Sequence, residues 1–408
     1  MTLPHVVVGV GGGIAAYKVC AVVRGLTEAG HSVRVVPTAA ALQFVGSATW
    51  EALSGQPVHT GVFSDVPAVP HVRLGQQADL VLVAPATADL LARAAHGLAD
   101  DLLTATLLTA RCPVLMAPAM HTEMWEHAAT LANVDTLRRR GVLVLDPDAG
   151  RLTGADSGPG RLPEPDDLLA AARALLEHPG LSRDLVGRRV LVTAGSTREP
   201  LDPVRYLTNH SSGRQGWALA RVAALRGADV TLVAGHSDMP DPSGMSTVRV
   251  GSATEMHDVV LEHAATMDAV VMAAAVADHR PAHTAGTKMK KAAGSAGQPL
   301  DLVPNPDILA AVVAAAPEHQ VVVGFAAETG DDTGSVLDLG RRKLTAKGCD
   351  LLVVNEVGAE KGFGAPDNEA VVLAADGAAV DVPLGSKERL AAVVWDEVVS
   401  RLPRTVRP

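Results

Sequence analysis

The stretch VVVGVGGGIAAYK, residues 6–18, decides how the first half of the chain folds. Its β-branched residues predict a buried strand over Val6–Val10, and the glycines that follow lead directly into a helix predicted over Ile14–Ala29. Glycine lets the backbone pass close to a phosphate, and a helix N-terminus offers unpaired N–H groups and the positive end of its dipole. The stretch therefore predicts either a phosphate-binding turn or a tight turn without a ligand.

Strands and helices alternate outward from this stretch along the chain. In the first half, strands are predicted at Val6–Val10, Val33–Pro37, Asp79–Ala84, Pro113–Ala117 and Val142–Leu145, and helices at Ile14–Ala29, Ala39–Leu53, Thr87–Ala95 and Thr130–Arg140. In the second half, strands are predicted at Val190–Ala194, Asp229–Ala234, Ala269–Ala273, Gln320–Phe325, Leu351–Asn355 and Ala370–Ala374, and helices at Gly216–Arg226, Thr254–Ala265, Asp307–Ala315, Leu337–Lys347 and Lys387–Leu402. This alternation predicts an α/β protein with parallel sheets.

A break in the alternation divides the chain. His178-Pro179-Gly180 and the charged residues of Arg183–Arg189 have a composition typical of a linker. We therefore predict an N-terminal domain over 1–180 and a C-terminal domain with a Rossmann-like parallel sheet over 188–408. Within the second domain, Asp278–Pro304 shows no periodicity and is predicted to be a long loop.

Composition excludes several classes of protein. The chain has 408 residues and a formal net charge of −10, which argues against binding the phosphate backbone of a nucleic acid. Its three cysteines are scattered without a CxxC pair, so neither a disulfide framework nor a zinc site is expected. No apolar run approaches the roughly 20 residues of a membrane span, and the N-terminus leads directly into a strand instead of a signal peptide. We therefore expect a cytoplasmic protein without a membrane or nucleic-acid partner.

Small and polar residues follow several predicted strands of the first half. Ligands of open parallel sheets bind beyond the carboxyl ends of the strands. The residues of Ala84–Asp89 leave room for a flat ring, and Thr87 either hydrogen-bonds a ligand or caps the next helix. His71 precedes a strand and can act as a general base near neutral pH, although a single histidine is more often structural.

Six motifs in order carry a resemblance over residues 4–178: GGIAAYK, PHVRL, APATAD, ADDLL, APAMHTEMW and TGADSGPGRL. Together they resemble the flavin-dependent cysteine decarboxylases, which are flavodoxin-like proteins that bind FMN. The resemblance implies decarboxylation of 4′-phosphopantothenoylcysteine, made possible because FMN first oxidises the thiol to a thioaldehyde. It also implies that FMN is contacted by Gly12, Gly13, Thr38, Ala86 and Thr87, and that His71 is the active-site histidine.

Three positions differ from that family's usual pattern. Gly11 stands where Ser or Thr is usual, His121 stands where Asn is usual, and Gly154 replaces the cysteine proposed as proton donor. Asp156, Ser157 or His121 remain as candidate donors. Two alternatives stay open: an N-terminal domain that binds flavin without decarboxylating, and a flavin-holding regulatory subunit.

The second half concentrates hydroxyl groups and glycines before one helix. Residues 202–216, DPVRYLTNHSSGRQG, place Arg205 and Arg214 close to this helix N-terminus, an arrangement that suits several phosphates. Lys343 and Lys347 share one helical face, a spacing also typical of a solvated surface. The spaced glycines and the acidic residue of an NAD-linked oxidoreductase are missing, which argues against that alternative.

The motif at residues 202–216 is accompanied by five further motifs: AAAVADHRP, KMKK, NPDI, GFAAET and KLTAKGCDLLVVNEV. Together these motifs make residues 188–403 resemble phosphopantothenate–cysteine ligase. Both halves in this order are similar to the bacterial bifunctional enzymes of coenzyme A synthesis. The resemblance implies that CTP activates 4′-phosphopantothenate as an acyl-cytidylate, with Mg²⁺, and that cysteine attacks it. It implies that Asn209 holds the acyl intermediate, that Lys288 stabilises the oxyanion, and that CTP contacts Ala273, Ala274, Ala275, Asp278, Lys288, Asn305, Pro306, Asp307, Ile308, Phe325, Lys343 and Lys347. The decarboxylases of the resembled family form trimers and the ligases form dimers. A chain that carries both contacts is therefore expected to form a homo-oligomer, most simply a dodecamer.

Overall fold

A computed structural model describes residues 3–59, 61, 69–152, 157–290, 299–328, 335–356 and 367–403. The chain forms two compact units, Met1–Arg183 (unit 1) and Asp184–Pro408 (unit 2). None of the described helices is long and apolar enough to span a membrane.

Unit 1 is built on one parallel sheet. Its elements are β1 (His5–Val10), α1 (Ala16–Glu28), β2 (Ser32–Pro37), α2 (Ser47–Ser54), α3 (Pro70–Gln77), β3 (Leu80–Ala86), α4 (Ala88–His96), α5 (Leu102–Thr109), β4 (Val114–Pro118), α6 (Thr122–Trp125), α7 (Ala128–Arg139), β5 (Leu143–Val144), β6 (Asp148–Arg151), β7 (Ser157–Arg161) and α8 (Pro165–Glu177). The strand order is β2-β1-β3-β4-β5, with every pair parallel. This is the flavodoxin-like order, whose direction reverses between β1 and β3. The predicted fold class of the first half is confirmed.

The strands of unit 1 form because their apolar runs are buried on both faces of the sheet. Every residue of β3 is buried, which explains why its sequence LVLVAPA shows no alternation of polar and apolar residues. Helices on the two faces cover the sheet and complete the core. The carboxyl ends of the strands are therefore the free edge, where turns can meet a ligand.

Helix boundaries in unit 1 correct three predictions. The predicted helix Ala39–Leu53 is a 3₁₀ turn, Ala41–Gln43, followed by α2, because Gly46 takes an extended conformation between them (φ −69°, ψ 157°). His71, which was predicted to precede a strand, lies within α3, a helix that the sequence analysis did not predict. The sequence analysis also missed α5, whose sequence LLTATLLT is apolar on nearly all sides and lacks a helical stripe.

Unit 2 is built on a larger, mostly parallel sheet. Its elements are β8 (Arg189–Ala194), β9 (Arg198–Pro200), β10 (Tyr206–Thr208), α9 (Arg214–Leu225), β11 (Asp229–Ala234), β12 (Ser246–Arg249), α10 (Ala253–Ala264), β13 (Ala269–Met272), β14 (His279–Pro281), β15 (Leu302–Pro304), α11 (Ile308–Ala315), β16 (Val321–Glu328), α12 (Val336–Lys347), β17 (Leu351–Glu356), β18 (Asp367–Ala374), β19 (Ala379–Ser386) and α13 (Lys387–Arg401). The strand order is β12-β11-β8-β13-β16-β17-β18-β19, and the direction of the chain reverses between β8 and β13.

Two features of unit 2 differ from the prediction. The last two strands run antiparallel, so the Rossmann-like parallel sheet ends at β17 and is extended by a hairpin. The predicted loop Asp278–Pro304 begins and ends in short strands, β14 and β15, which pair with each other. The paired residues of β14 and β15 are more than twenty positions apart in the sequence, so no local sequence pattern indicates the pairing.

A buried ion network fixes helices α9 and α13 of unit 2. The guanidinium of Arg226 donates to both carboxylate oxygens of Asp184 at 2.8 and 2.6 Å, and to Asp396 at 2.7 Å. Trp395, fully buried in α13, donates its indole N–H to the Leu219 carbonyl of α9 at 2.8 Å. These contacts therefore hold the C-terminal end of α9 against the middle of α13.

Candidate active sites

Unit 1 has a cavity of about 930 Å³ beyond the carboxyl ends of its strands (the unit 1 cavity). Gly12, Gly13, Thr38 and Thr87, which follow β1, β2 and β3, all line it, and His121 lies on the turn after β4. The cavity therefore lies at the reversal of the strand order, where open α/β sheets bind ligands. Its volume suits a ligand of the size of a flavin nucleotide.

Close backbone packing forms the floor of this cavity. The Gly11 N–H donates to the Pro85 carbonyl at 3.1 Å, and a Cβ on Gly11 would lie only 2.3 Å from that oxygen. A Cβ on Gly12 would lie 2.3 Å from the Cβ of Ala40. The glycines therefore let the turn after β1 lie close to the end of β3. This close approach explains why glycine occupies position 11, where the decarboxylase family usually has Ser or Thr.

Two threonine hydroxyls combine capping with exposure to the unit 1 cavity. Thr87 Oγ1 accepts the Leu90 N–H at 3.2 Å and caps α4, and Thr38 Oγ1 accepts the Ala41 N–H at 3.2 Å. A hydroxyl that accepts a hydrogen bond still has its own proton to donate. Both the capping role and the ligand-binding role predicted for Thr87 are therefore compatible in one conformation. The donor set fits an anionic phosphate.

Cationic side chains line the unit 1 cavity. Lys18 Nζ and Arg161 Nη2 donate to the same oxygen of Glu164, at 2.7 and 2.8 Å. Arg151 also lines the cavity. The sequence analysis quoted Lys18 and Arg161 within motifs without assigning either a role, and it missed Arg151. One carboxylate shared between two cations leaves a net positive charge, which favours an anionic ligand.

Two predicted residues of unit 1 that the structure describes, Ala86 and His71, do not line this cavity. Ala86 is fully buried in β3, where its carbonyl accepts the Ala119 N–H at 3.2 Å. His71 lies on α3, its backbone carbonyl accepts the Thr109 hydroxyl at 2.7 Å, and its Nδ1 is buried without a partner among the described residues. Asp156 lies outside the described residues, as does Gly154.

Unit 2 has a cavity of about 810 Å³ at the carboxyl ends of β8, β13 and β16 (the unit 2 cavity). Its wall contains Asn209, Ala273, Ala274, Ala275, Asp278, Asn305, Pro306, Asp307, Ile308, Phe325, Lys343 and Lys347. These residues come from five separate segments of sequence. The fold therefore brings together every residue predicted to contact CTP except Lys288.

Two buried threonines hold the turn after β13, which forms one side of the unit 2 cavity. Thr193 Oγ1 accepts the Ala274 N–H at 3.1 Å, and Thr197 Oγ1 accepts the Ala277 N–H at 3.0 Å. Both threonines are fully buried. The Ala275 N–H donates to the Gly195 carbonyl at 2.8 Å, so the turn is hydrogen-bonded along its length. Its small side chains leave the backbone open to a ligand.

Side-chain amides of the unit 2 cavity are oriented by the same turn. Asn209 Nδ2 donates to the Val276 carbonyl at 2.9 Å, and Asn305 Nδ2 donates to the Ala277 carbonyl at 2.8 Å. Arg280 donates to Asn305 Oδ1 at 3.2 Å. These bonds leave Asn209 with a carbonyl oxygen and one N–H for a substrate.

Both lysines predicted to bind CTP are paired with carboxylates. Lys343 lies 3.1 Å from Glu328, and Lys347 is paired with Asp307. Burial raises the pKa of Asp307, but the hydrogen bonds from Lys347 and from the Ala310 N–H outweigh it, so its pKa lies below the ordinary value. Asp307 therefore holds the Lys347 ammonium at the cavity wall.

Lys288 is exposed and does not line the unit 2 cavity. The next residue, Met289, donates its N–H to Asp202 Oδ2 at 3.1 Å, and its carbonyl accepts from Arg205 at 3.1 Å. The other oxygen of Asp202 accepts the N–H groups of Val204 and Arg205 at 2.7 and 2.9 Å. Although burial opposes it, this set of hydrogen bonds keeps the pKa of Asp202 below its ordinary value. The segment that carries Lys288 is thereby tied to the turn between β9 and β10.

Five further residues line the unit 2 cavity that sequence analysis did not assign: Arg214, Gln215, Asn355, Asn368 and Lys387. Arg214, Gln215 and Asn355 stood in quoted motifs, whereas Asn368 and Lys387 lie in no motif. Within the described part of the chain, no group of three or more His, Cys, Asp or Glu side chains is arranged to hold a metal ion.

Comparison with known proteins gives the family. The family model Flavoprotein matches residues 1–177, and the model for the DNA/pantothenate metabolism flavoprotein C-terminal domain matches residues 185–402. The chain is 62% identical over 406 residues to the coenzyme A biosynthesis bifunctional protein CoaBC of Mycobacterium tuberculosis (strain ATCC 25618 / H37Rv), which covers 98% of this chain and 97% of that protein. The chain belongs to the CoaBC family. The predicted resemblance is confirmed.

More distant CoaBC proteins are similar over the same length. The CoaBC protein of Vibrio cholerae serotype O1 is 44% identical, over 95% of this chain and 96% of that protein. A crystal structure of the C-terminal domain of a CoaBC protein is 33% identical, covering 54% of this chain and 97% of that chain, with a TM-score of 0.45. This CoaBC family member is therefore a bifunctional protein of coenzyme A biosynthesis, with a flavoprotein unit followed by a pantothenate-metabolism unit.

Proposed function

We propose that unit 2 joins cysteine to 4′-phosphopantothenate at the expense of CTP, and that unit 1 decarboxylates the product, 4′-phosphopantothenoylcysteine, with FMN to give 4′-phosphopantetheine. The observation that carries the proposal is the pair of cavities. Each unit has one at the carboxyl ends of its sheet, and each is lined by most of the residues that the motifs predict. The family of the chain supports both reactions.

In the ligase reaction, the chain positions two anionic substrates and stabilises charge. Asn209, oriented by the Val276 carbonyl, holds the acyl group, and Lys343 and Lys347 bind the nucleotide. Lys288, carried on the segment tied to Asp202, closes on the reacting carboxylate and stabilises the oxyanion. Mg²⁺ is proposed to enter with the nucleotide and to be held mainly by its phosphates.

In the decarboxylase reaction, the chain binds the flavin and manages a proton. Thr38 and Thr87 donate their hydroxyl protons to the phosphate of FMN at the floor of the unit 1 cavity. When bound, FMN supplies the redox chemistry that lets the carboxylate leave. Arg151 and Arg161 attract the anionic substrate, and His121, which lines the cavity, is the described candidate for the proton donor.

One incubation tests both reactions. The purified protein is mixed with 4′-phosphopantothenate, cysteine, CTP and Mg²⁺, and pyrophosphate and CO₂ are measured separately. We expect both products. Pyrophosphate without CO₂ supports the alternative in which the flavin-binding unit is inactive, and absence of both products contradicts the proposal. Supplying 4′-phosphopantothenoylcysteine without CTP tests the decarboxylase alone.

The flavin proposal has a separate optical test. We expect the purified protein to be yellow, with the absorbance spectrum of bound FMN. Thr87→Ser retains both the cap and the hydroxyl and should keep the flavin, whereas Thr87→Asn retains a cap without the hydroxyl and should bind it more weakly. A colourless protein that takes up no FMN on titration would refute the assignment of the unit 1 cavity.

The chain is further proposed to form a dodecamer of trimers and dimers, as the resemblance implies. Exposed apolar side chains on the wall of the unit 1 cavity support assembly, because Ile14, Tyr17 and Met124 are 69%, 61% and 47% exposed and invite a covering subunit. His71 then acts on FMN held largely by a neighbouring subunit. Light scattering should give about twelve subunits, and a fully active monomer contradicts the assembly. The predicted cytoplasmic location stays a prediction.

A further inference from the structure

Three elements of unit 2 meet at one end of the unit 2 cavity. Asn368 of β18 donates to Gln215 Oε1 at 3.1 Å, and Gln215 of α9 donates to the backbone carbonyl of Lys387 at 3.2 Å. Lys387 is the first residue of α13, and all three side chains line the cavity. The hydrogen bonds therefore hold the start of α13 at the cavity wall.

Lys387 is a buried cation whose ammonium is not hydrogen-bonded to any described residue. The residue is only 7% exposed, and its side chain lines the unit 2 cavity. Its ammonium makes no hydrogen bond or ion pair with the part of the chain that the structure describes. Lysine is almost never buried unless it is paired, because an uncompensated charge loses its hydration. The buried position of the Lys387 ammonium therefore does not stabilise the ligand-free fold.

Burial and charges of both signs act on Lys387. Burial and the nearby Arg214 lower the pKa of Lys387, and the charges of Glu388 and Asp367 oppose this shift without cancelling it. Arg214 also begins α9, whose N-terminus faces the same cavity. Two cations and a helix N-terminus that line one cavity favour an anionic ligand.

The approach of α9 to the sheet places these charges at the substrate end of the cavity. A Cβ on Gly216 would lie 2.3 Å from the Cβ of Ala194, so glycine allows the first turn of α9 to pack against the end of β8. The carboxyl end of β8 borders the reversal of the strand order, where ligands bind. Arg214 and Lys387 therefore line the cavity near the edge of the sheet where ligands of such folds bind.

We propose that Lys387 is a substrate-binding residue of the unit 2 cavity, and that its ammonium, together with Arg214, binds a phosphate group of CTP or of 4′-phosphopantothenate. The inference rests on the proposed function for the identity of these two ligands. It adds a residue that lies far from every sequence motif of the ligase, brought to the site by the last helix of the fold. Charge-assisted contacts of this kind are strong in a partly desolvated cavity.

Direct binding to the full-length protein tests the proposal. Isothermal titration is carried out with CTP, 4′-phosphopantothenate and inorganic pyrophosphate, each alone, on the wild type and on Lys387→Met, Lys387→Arg and Arg341→Met. Arg341, whose side chain is 63% exposed on α12, provides a matched loss of positive charge outside the cavity. Lys387→Met should weaken at least one ligand about tenfold or more, while Lys387→Arg stays within about threefold and Arg341→Met matches the wild type.

The pattern of losses identifies the phosphate. Weaker binding of CTP and pyrophosphate, with 4′-phosphopantothenate unchanged, assigns the nucleotide, and the reverse assigns the phosphate of 4′-phosphopantothenate. Unchanged binding of all three ligands by Lys387→Met overturns the proposal. So does a wild type that binds none of them. A wild type that binds these ligands but forms no product contradicts the proposed function and leaves the binding role intact.

Thermal stability separates this role from a structural one. Because Lys387→Met replaces a desolvated, unpaired charge with an apolar side chain of similar length, the ligand-free variant should melt at the same temperature as the wild type or higher. Ligand binding should then raise its Tm less than that of the wild type. A lower Tm without ligand, together with unchanged affinities, would show that Lys387 serves the fold alone.

Discussion

Replacing Thr197 with valine tests whether a single buried hydroxyl holds the turn that forms the wall of the unit 2 cavity. Valine has nearly the same shape, so the substitution removes the acceptor of the Ala277 N–H without opening a cavity. Thr197 is fully buried, and the hydrogen bond lies in the interior, so water cannot replace the lost oxygen. An orphaned buried N–H costs about 1–3 kcal/mol. For a domain of this size, that corresponds to a decrease in Tm of about 2–12 °C.

Calorimetry of the full chain gives the decrease in Tm, and steady-state kinetics gives its effect on function. We expect the KM for CTP to rise, because Ala275 and Ala277 line the unit 2 cavity, while decarboxylation of supplied 4′-phosphopantothenoylcysteine and flavin content stay unchanged. Thr266→Val, at an exposed site beyond α10, is the control and should change stability by less than about 0.5 kcal/mol. An unchanged Tm for Thr197→Val, or equal loss of both activities, would refute the reasoning.

Three further variants test other parts of the molecule. Lys288→Ala should slow the ligase about 10²-fold or more and leave decarboxylation intact, and equal loss of both rates would contradict separate sites. Gly160 has a φ of +154°, and Gly160→Ala would place a Cβ 2.2 Å from the Met120 carbonyl oxygen. This substitution should destabilise unit 1 by about 1–3 kcal/mol or more and reduce its flavin absorbance. Gly180→Ala, whose Cβ would meet nothing within 4 Å, is the control and should do neither. Because the folded pKa of Asp307 lies below its ordinary value of 3.8, its pairing with Lys347 stabilises the fold above about pH 4 and is lost as the pH falls through the folded pKa. Acid unfolding curves of Asp307→Asn should therefore depend less on pH in this window, and an unchanged slope would contradict the assignment.

Most strands of the two sheets were predictable because the apolar residues of each strand indicate its burial without reference to the rest of the chain. Val81–Val83 and Val190–Val192 are continuous apolar runs, as expected of parallel strands covered on both faces. Helices with one apolar stripe, such as α1 and α10, were equally clear from their periodicity. Helix α5 was missed because its apolar residues surround it, and α3 because its few residues give too short a pattern.

Pairing between distant segments was not predictable from local patterns. The β14–β15 pair joins the two ends of the predicted loop, and β19 adds to β18 with an irregular register between Asn368 and Ala370. Neither pairing follows from the residues of one strand alone, since a short half-exposed strand resembles a loop in its composition. The sheet of unit 2 therefore ends in an antiparallel hairpin that the sequence analysis recognised only as one further strand.

The same distinction separates the site residues that were predicted from those that were missed. Both units reverse their strand order once, between β1 and β3 and between β8 and β13, and both cavities lie at that reversal. A residue directly after a strand must lie at this edge, so a local motif such as the one containing Thr87 suffices to place it.

Lys387 and Arg161 reach their cavities by another route, from a helix that begins after a hairpin and from the hairpin strand β7. Lys387 is held by a tertiary contact with Gln215, and Arg161 by Glu164 three residues along the chain, so neither lies at the end of a central strand. Such residues add charge to a site whose backbone scaffold is already determined by the strand ends. Substitutions at them should therefore change ligand affinity more than they change the fold, whereas substitutions at the strand-end turns should change both.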